Sequence, residues 1–192
     1  MARNDERRTA LADAGIEVLS REGSRGLTHR AIDALSGSPI GTTSNYFRSR
    51  AELLEGLVAR IGERMAPDPA VLAHLATRPA GRDSFAEHLR DIVRRMLAQP
   101  AVTLAWFELR LEAARRPEVA ELMERSLRQG FSGDVAYNEA AGLPGAAAEI
   151  ALFHYAIGGL VLDRLTVSID PGTPTDRVIE SLVAGLLPGE PG

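Results

Sequence analysis

The stretch Gly37-Ser38-Pro39-Ile40-Gly41-Thr42-Thr43-Ser44-Asn45-Tyr46-Phe47-Arg48-Ser49-Arg50-Ala51-Glu52 decides the fold. Gly37 permits a tight turn, and Ser38 as N-cap with Pro39 at the first helical position predicts a helix from there to about Phe47. Ser49-Arg50-Ala51-Glu52 has capping-box spacing, so a further helix starts at Ser49, runs to about Arg64 and buries Leu53, Leu54, Leu57, Val58 and Ile61. Upstream, Thr28 caps a short helix that buries Ala31, Ile32 and Leu35. A first helix, about Asp5 to Glu22, repeats Leu11, Ala14, Gly15, Val18 and Leu19 on one face before Gly23 stops it. Two short helices joined by a glycine turn make a helix-turn-helix.

Working outward, helical periodicity dominates the 192 residues, strand-like alternation is scarce, and prolines punctuate the helices, so the expected fold class is all-α. A 45% hydrophobic, 25% charged chain fits a soluble globular protein. The longest nearly charge-free run, Leu143 to Leu162, carries Pro144, Glu149 and His154 and reads as a buried helix, so no membrane crossing is expected. A charged start and no cysteine point to the cytoplasm.

The missing residue types exclude chemistry. The chain has no lysine and no cysteine, which removes phosphate-loop and Schiff-base lysines, thiolate nucleophiles and sulfur-ligated zinc. The four histidines are scattered, none is preceded by an acid at ligand spacing, and no nucleophile elbow or dinucleotide fingerprint occurs. No catalytic residue, metal or cofactor is expected, and an enzyme remains only as an alternative without signature. Charge is uneven: residues 1–60 carry net +1 and the remaining 132 net −5, out of a total of −4.

On the helix opened by Ser38, Ile40, Thr43 and Phe47 fall at inward spacing, expected to pack on Leu11, Val18 and Ile32. Gly41, Thr42, Ser44, Asn45 and Tyr46 are left facing out, an uncharged polar surface suited to a major groove: asparagine pairs bidentately with adenine, and serine and threonine reach bases or phosphates. Thr28, Tyr46 and Arg50 are placed to hold phosphates. The competing reading is a solvated face on an ordinary helical protein.

The run Gly26-Leu27-Thr28-His29-Arg30-Ala31-Ile32, followed by Gly37 through Leu54, resembles the amino-terminal domain of the tetracycline-repressor (TetR) family over about residues 8–60. The resemblance implies that Thr28, Thr42, Tyr46 and Arg50 contact phosphates and that Gly41, Ser44 and Asn45 lie at base edges of a double-stranded operator. It also implies a homodimeric, usually repressing, transcription factor whose carboxy-terminal domain binds a small-molecule effector. Ser44 stands where the family often has an aromatic residue and Arg50 replaces its usual lysine, so the operator sequence does not carry over.

The expected division is residues 1–48 as the DNA-binding domain, 49–64 as a linking helix and 65–192 as a helical ligand-binding and dimerisation domain. Helices are expected near Asp83 to Gln99, Ala101 to Arg115, Pro117 to Phe131 and Pro144 to Val167, with a last one capped by Thr173 and opened by Pro174. Phe85, Leu89, Met96, Trp106, Phe107, Arg110, Met123, Phe131, His154 and Tyr155 are effector-contact candidates, with Arg110 expected to be partly buried against an anion; core packing is the alternative for most. The last two helices are expected to form a four-helix bundle with a second copy, through Ile150, His154, Gly158, Val161, Leu162, Ile179, Leu182, Val183 and Leu186. Two functional alternatives stay open: a constitutive helix-turn-helix DNA binder without effector, and an all-α carrier or enzyme.

Overall fold

The computed structural model describes residues 2–188; among them the backbone forms ten helices and no strand, so the protein is all-α. The helices are α1 (Ala2–Gly26), α2 (His29–Leu35), α3 (Thr42–Tyr46), α4 (Arg50–Met65), α5 (Pro69–Leu75), α6 (Arg82–Ala98), α7 (Pro100–Ala113), α8 (Pro117–Ala140), α9 (Ala147–Leu165) and α10 (Thr175–Leu186). None is long and apolar enough to cross a membrane. Thr28 and Ser49 cap α2 and α4 as expected, accepting from Ala31 N–H and Glu52 N–H. Other boundaries move. The first helix is interrupted at Gly23 (φ 66) rather than ended by it, α8 runs nine residues past Phe131, and α5 has no counterpart in the expectations. Pro174, not Thr173, precedes α10, because the Thr173 hydroxyl donates to Asp170 Oδ2 instead.

The helices sort into two compact units that cut across the expected sequential division. One comprises the chain up to Ala66 together with Gln99–Ser126; the other comprises Pro67–Ala98 together with the chain from Leu127 on. In the first, α7 and the start of α8 join the helix-turn-helix in one core: Val102, Ala105, Leu109, Val119 and Met123 are buried with Leu11, Ile16, Leu19, Leu57 and Ile61. Each such Val, Leu, Ile or Met side chain removed from water contributes about 1.5–3 kcal/mol before conformational entropy is charged against it. Gly15 lets α1 approach α4: a Cβ there would meet Leu57 Cδ2 at 2.7 Å. At the edge of this core Arg60 grips Asp13 bidentately at 2.9 and 3.0 Å, and Arg64 and Gln99 exchange two hydrogen bonds.

In the second unit α6 packs against α9 and α10. Phe85, Leu89 and Val93 of α6 are buried, as are Ile150, Phe153 and Ile157 of α9 and Ile179 and Val183 of α10, and the Phe85 and Phe153 rings lie 4.8 Å apart. Arg82 donates to Val183 O and Leu187 O, cations suited to the end of α10. Buried Asn138 donates to Leu143 O and Gly145 O, tying α8 to the turn before α9. After α9, Arg164 and Asp163 hold the loop to α10 through Ser168, Ile169 N–H and the carbonyls of Asp170 and Thr173.

Candidate nucleic-acid interface

Helix α3 has only five residues, too short to hold itself in water, so its position is set by what is bonded to its two ends. Its first turn starts at Gly41, whose φ of 90 is a left-handed conformation that glycine adopts without strain, and glycine brings no capping side chain. The acceptor comes from α2 instead. Asp33, 1% exposed, accepts from Gly41 N–H at 2.7 Å, Thr43 N–H at 2.7 Å and the Thr43 hydroxyl at 2.6 Å. Burial acts to raise the Asp33 pKa, but the Thr43 hydroxyl, the two amides and the charge of His29 outweigh it and hold the carboxyl below the usual carboxylate range. The other end is held from α1: Arg8 donates to Tyr46 O at 2.7 Å, with its guanidinium 4.4 Å from the centre of the Phe47 ring.

Between these clamps the surface matches much of the expected one. Thr43 and Phe47 are fully buried, Ser44 and Asn45 are exposed, and Gly41, Thr42 and Tyr46 are half-buried. Two hydroxyl protons are already directed: Thr42 donates to Pro39 O at 2.6 Å and Ser44 to Gly41 O at 2.8 Å. With their protons engaged, the two oxygens are left as acceptors, a match for the exocyclic amines of adenine or cytosine. The Thr28 oxygen accepts from Ala31 N–H, which leaves its proton for an outside acceptor such as a phosphate.

Several expected placements are corrected. Ser38 does not cap α3 and its oxygen accepts from the Ser36 hydroxyl; the helix begins three residues later than expected, at Thr42. Ile40, expected inward, is 83% exposed, because residues before Gly41 form a turn rather than helix and helical spacing does not apply to them. Leu35, also expected inward, is 45% exposed. Arg50 is turned into the protein: its guanidinium donates to Leu27 O and Ser24 O at 3.0 Å and to Ser24 Oγ at 2.8 Å, bracing the chain between α1 and α2. Arg25, Arg30 and Arg48 are the exposed cations near these helices in sequence.

Sequence reasoning missed Asp33 and Arg8. Arg8 carried a signal, since it shares the α1 face of Leu11, Gly15 and Leu19 and so sits at the end of the inward stripe. Asp33 carried one only in combination, as a mid-helix acid followed by a glycine-led helix with no cap of its own.

The effector candidates are divided between the units. Trp106, Phe107, Arg110 and Met123 belong to the first; Phe85, Leu89, Met96, Phe131, His154 and Tyr155 belong to the second. Phe85, Leu89 and Met123 are core residues, and Arg110 is exposed rather than partly buried. Phe131 and His154 come together edge to face at 5.6 Å, with His154 Nε2 3.0 Å from Asp134 Oδ2. Of the expected dimer contacts, Ile150, Val161, Ile179 and Val183 are buried, in the helix faces that α6, α9 and α10 pack together, so these four are corrected to core. The apolar stripe left open on α9 is Leu152, Tyr155 and Leu162, 44%, 72% and 42% exposed, with Gly159 between them. Beside it lies an open groove of about 410 Å³ lined by Tyr155, Gly159, Leu160, Val178, Leu182 and Ile169 among others. Among the described residues no group of three His, Asp or Glu is placed to hold a metal ion.

Comparison with known proteins gives a consistent picture. A family profile described as the tetracyclin repressor-like C-terminal domain matches residues 80–189. The HTH-type transcriptional regulator BetI of Rhizobium meliloti (strain 1021) is 26% identical over 117 residues, 61% of this chain and 57% of BetI, so the match spans little more than half of that relative. Solved structures share the fold along nearly the whole chain. The multidrug-binding protein EbrR complexed with imidazole superposes with a TM-score of 0.67 at 24% identity, covering 95% of this chain and 96% of its own. A transcriptional regulator from Rhodococcus sp. Rha1 gives 0.68 at 21%, covering 93% of each chain, and a TetR-family member from Streptomyces coelicolor A3 gives 0.64 at 24%, covering 96% and 99%.

Proposed function

Because this chain belongs to the tetracycline-repressor-like family, we propose that it is a ligand-responsive DNA-binding transcriptional regulator of the cytoplasm, a repressor released from its operator by a small-molecule effector. The observation that carries the reading is the uncharged outward face of α3, with Asn45 and the acceptor oxygens of Thr42 and Ser44, clamped at one end by Asp33 and at the other by Arg8. A reading helix must be rigid before it meets DNA, since ordering it on contact would weaken binding. Thr28 and the exposed arginines supply phosphate contacts, and Gly41, Ser44 and Asn45 read base edges.

Two copies pair through the open α9 stripe of Leu152, Tyr155, Gly159 and Leu162 and the neighbouring α10 residues Leu182 and Leu186, placing two α3 helices roughly one helical turn of DNA, about 34 Å, apart. The operator is then palindromic. EbrR, which shares the fold, is complexed in separate structures with imidazole, proflavin and ethidium, which supports a small-molecule effector here. Effector binding acts as a population shift, favouring a dimer whose α3 spacing no longer fits the operator. Because α7 shares a core with α1 and α4, a ligand held against Trp106 or Phe107 acts on the reading unit directly, not only through α4.

The test is selection of bound duplexes from a random pool, followed by a salt titration. A palindrome is expected among the winners, with log affinity falling against log salt by about 0.9 per phosphate contact. A chain that enriches no duplex, or binds without salt dependence, would refute the proposal. Effectors are then sought as compounds that both raise the melting temperature and release the operator.

A further inference from the structure

Between Ala31 and Phe47 the sole charge is the buried Asp33, so the turn and reading helix present a neutral surface that belongs against base edges rather than phosphates. Two aliphatic side chains stand on that surface: Leu35, on α2, is 45% exposed, and Ile40, directly before the bare backbone of Gly41, is 83% exposed. Ile40 lies at the amino-terminal end of α3, the end that a recognition helix directs at bases. The major-groove edges of the four bases offer hydrogen-bond donors and acceptors to the polar neighbours Ser44 and Asn45, and a single apolar feature, the C5-methyl of thymine.

We propose that Ile40 is a specificity-determining residue that packs on the methyl group of one thymine in each operator half-site. The inference rests on the DNA-reading function proposed above and adds a named base to it. The apolar side chain is exposed in the free protein and covered in the complex, and it rejects cytosine at that position because cytosine lacks the methyl group.

The experiment replaces each thymine of the selected duplex in turn with deoxyuridine, which removes only that methyl, and measures affinity for the wild-type chain and for Ile40→Ala. Ile40 is exposed, so the variant should melt with the wild type, and melting is recorded for both. One thymine per half-site is expected at which uracil weakens wild-type binding about four-fold, the burial of one methyl group. Ile40→Ala should bind the thymine duplex more weakly and lose that discrimination, thymine and uracil falling within about two-fold of each other. A flat uracil scan with the wild type, or the same uracil penalty in Ile40→Ala, overturns the assignment while leaving DNA binding intact. No duplex enriched by the wild type would overturn the functional reading itself, and this inference with it.

Discussion

Replacing Asp33 with asparagine tests whether a buried carboxylate holds the reading helix in place. In the wild type Oδ2 accepts from Gly41 N–H, and Oδ1 accepts from both Thr43 N–H and the Thr43 hydroxyl. Asparagine keeps the shape but has one acceptor oxygen; whichever way its amide is turned, an NH2 group opposes at least one backbone N–H. An unsatisfied buried amide costs about 1–3 kcal/mol, and each remaining bond weakens by about 1 kcal/mol on losing its charge, for a total of about 4 kcal/mol. At about 2–4 °C per kcal/mol for a chain of this size, the melting temperature should fall by about 12 °C. The pH dependence gives the sign. The folded pKa of Asp33 is depressed, so its contribution is fully present above the unfolded value, near about 3.9, and is lost as pH falls through the folded value. The gap between wild type and Asp33→Asn should therefore be constant near neutrality and close at acid pH. Amide hydrogen exchange gives a local readout, with Gly41 and Thr43 losing protection first. A variant melting within 2 °C of wild type by that scale, or one whose two amides stay protected, would refute the clamp.

Other consequences follow from the same geometry. Arg50→Met should cost about 2 kcal/mol by freeing the carbonyls of Ser24 and Leu27, and leave the salt slope of operator binding unchanged; Arg48→Ala should reduce that slope by about 0.9, and an equal slope change for Arg50→Met would make it a phosphate contact after all. Gly56→Ala drives a Cβ into Cε1 of the fully buried Phe47, and should destabilise by about 1–3 kcal/mol in urea unfolding. In the pairing proposed above, Tyr155→Glu puts a charge on the exposed α9 stripe, and the dissociation constant read by sedimentation should rise by roughly two decades while the fold, read by circular dichroism, is unchanged.

Most of what the amino-acid order determined lies within one or two helical turns. Thr28 before α2, Ser49 with Glu52 at the start of α4, and the apolar stripe of Leu11, Val18 and Leu19 are relations between residues up to about eight apart, encoded by caps and periodicity. They were enough for the all-α class, the helix-turn-helix and the outward set of Ser44 and Asn45. Tertiary structure decided what distant side chains do to one another. Asp33 reaches Thr43, 10 residues on, Arg8 reaches Tyr46 over 38, and Arg50 reaches Ser24 over 26. Such bonds form only when packing brings two faces together, and no local period marks them. That is why Arg50 reads as a phosphate contact in the sequence yet braces the protein, and why Ile40 reads as core until the turn at Gly41 swings it into solvent. The faces of α9 and α10 were decided in the same way. Those helices are apolar widely enough to fit several partners; the packing of α6, α9 and α10 on one another buried Ile150, Val161, Ile179 and Val183 and left Tyr155 and Leu162 outside.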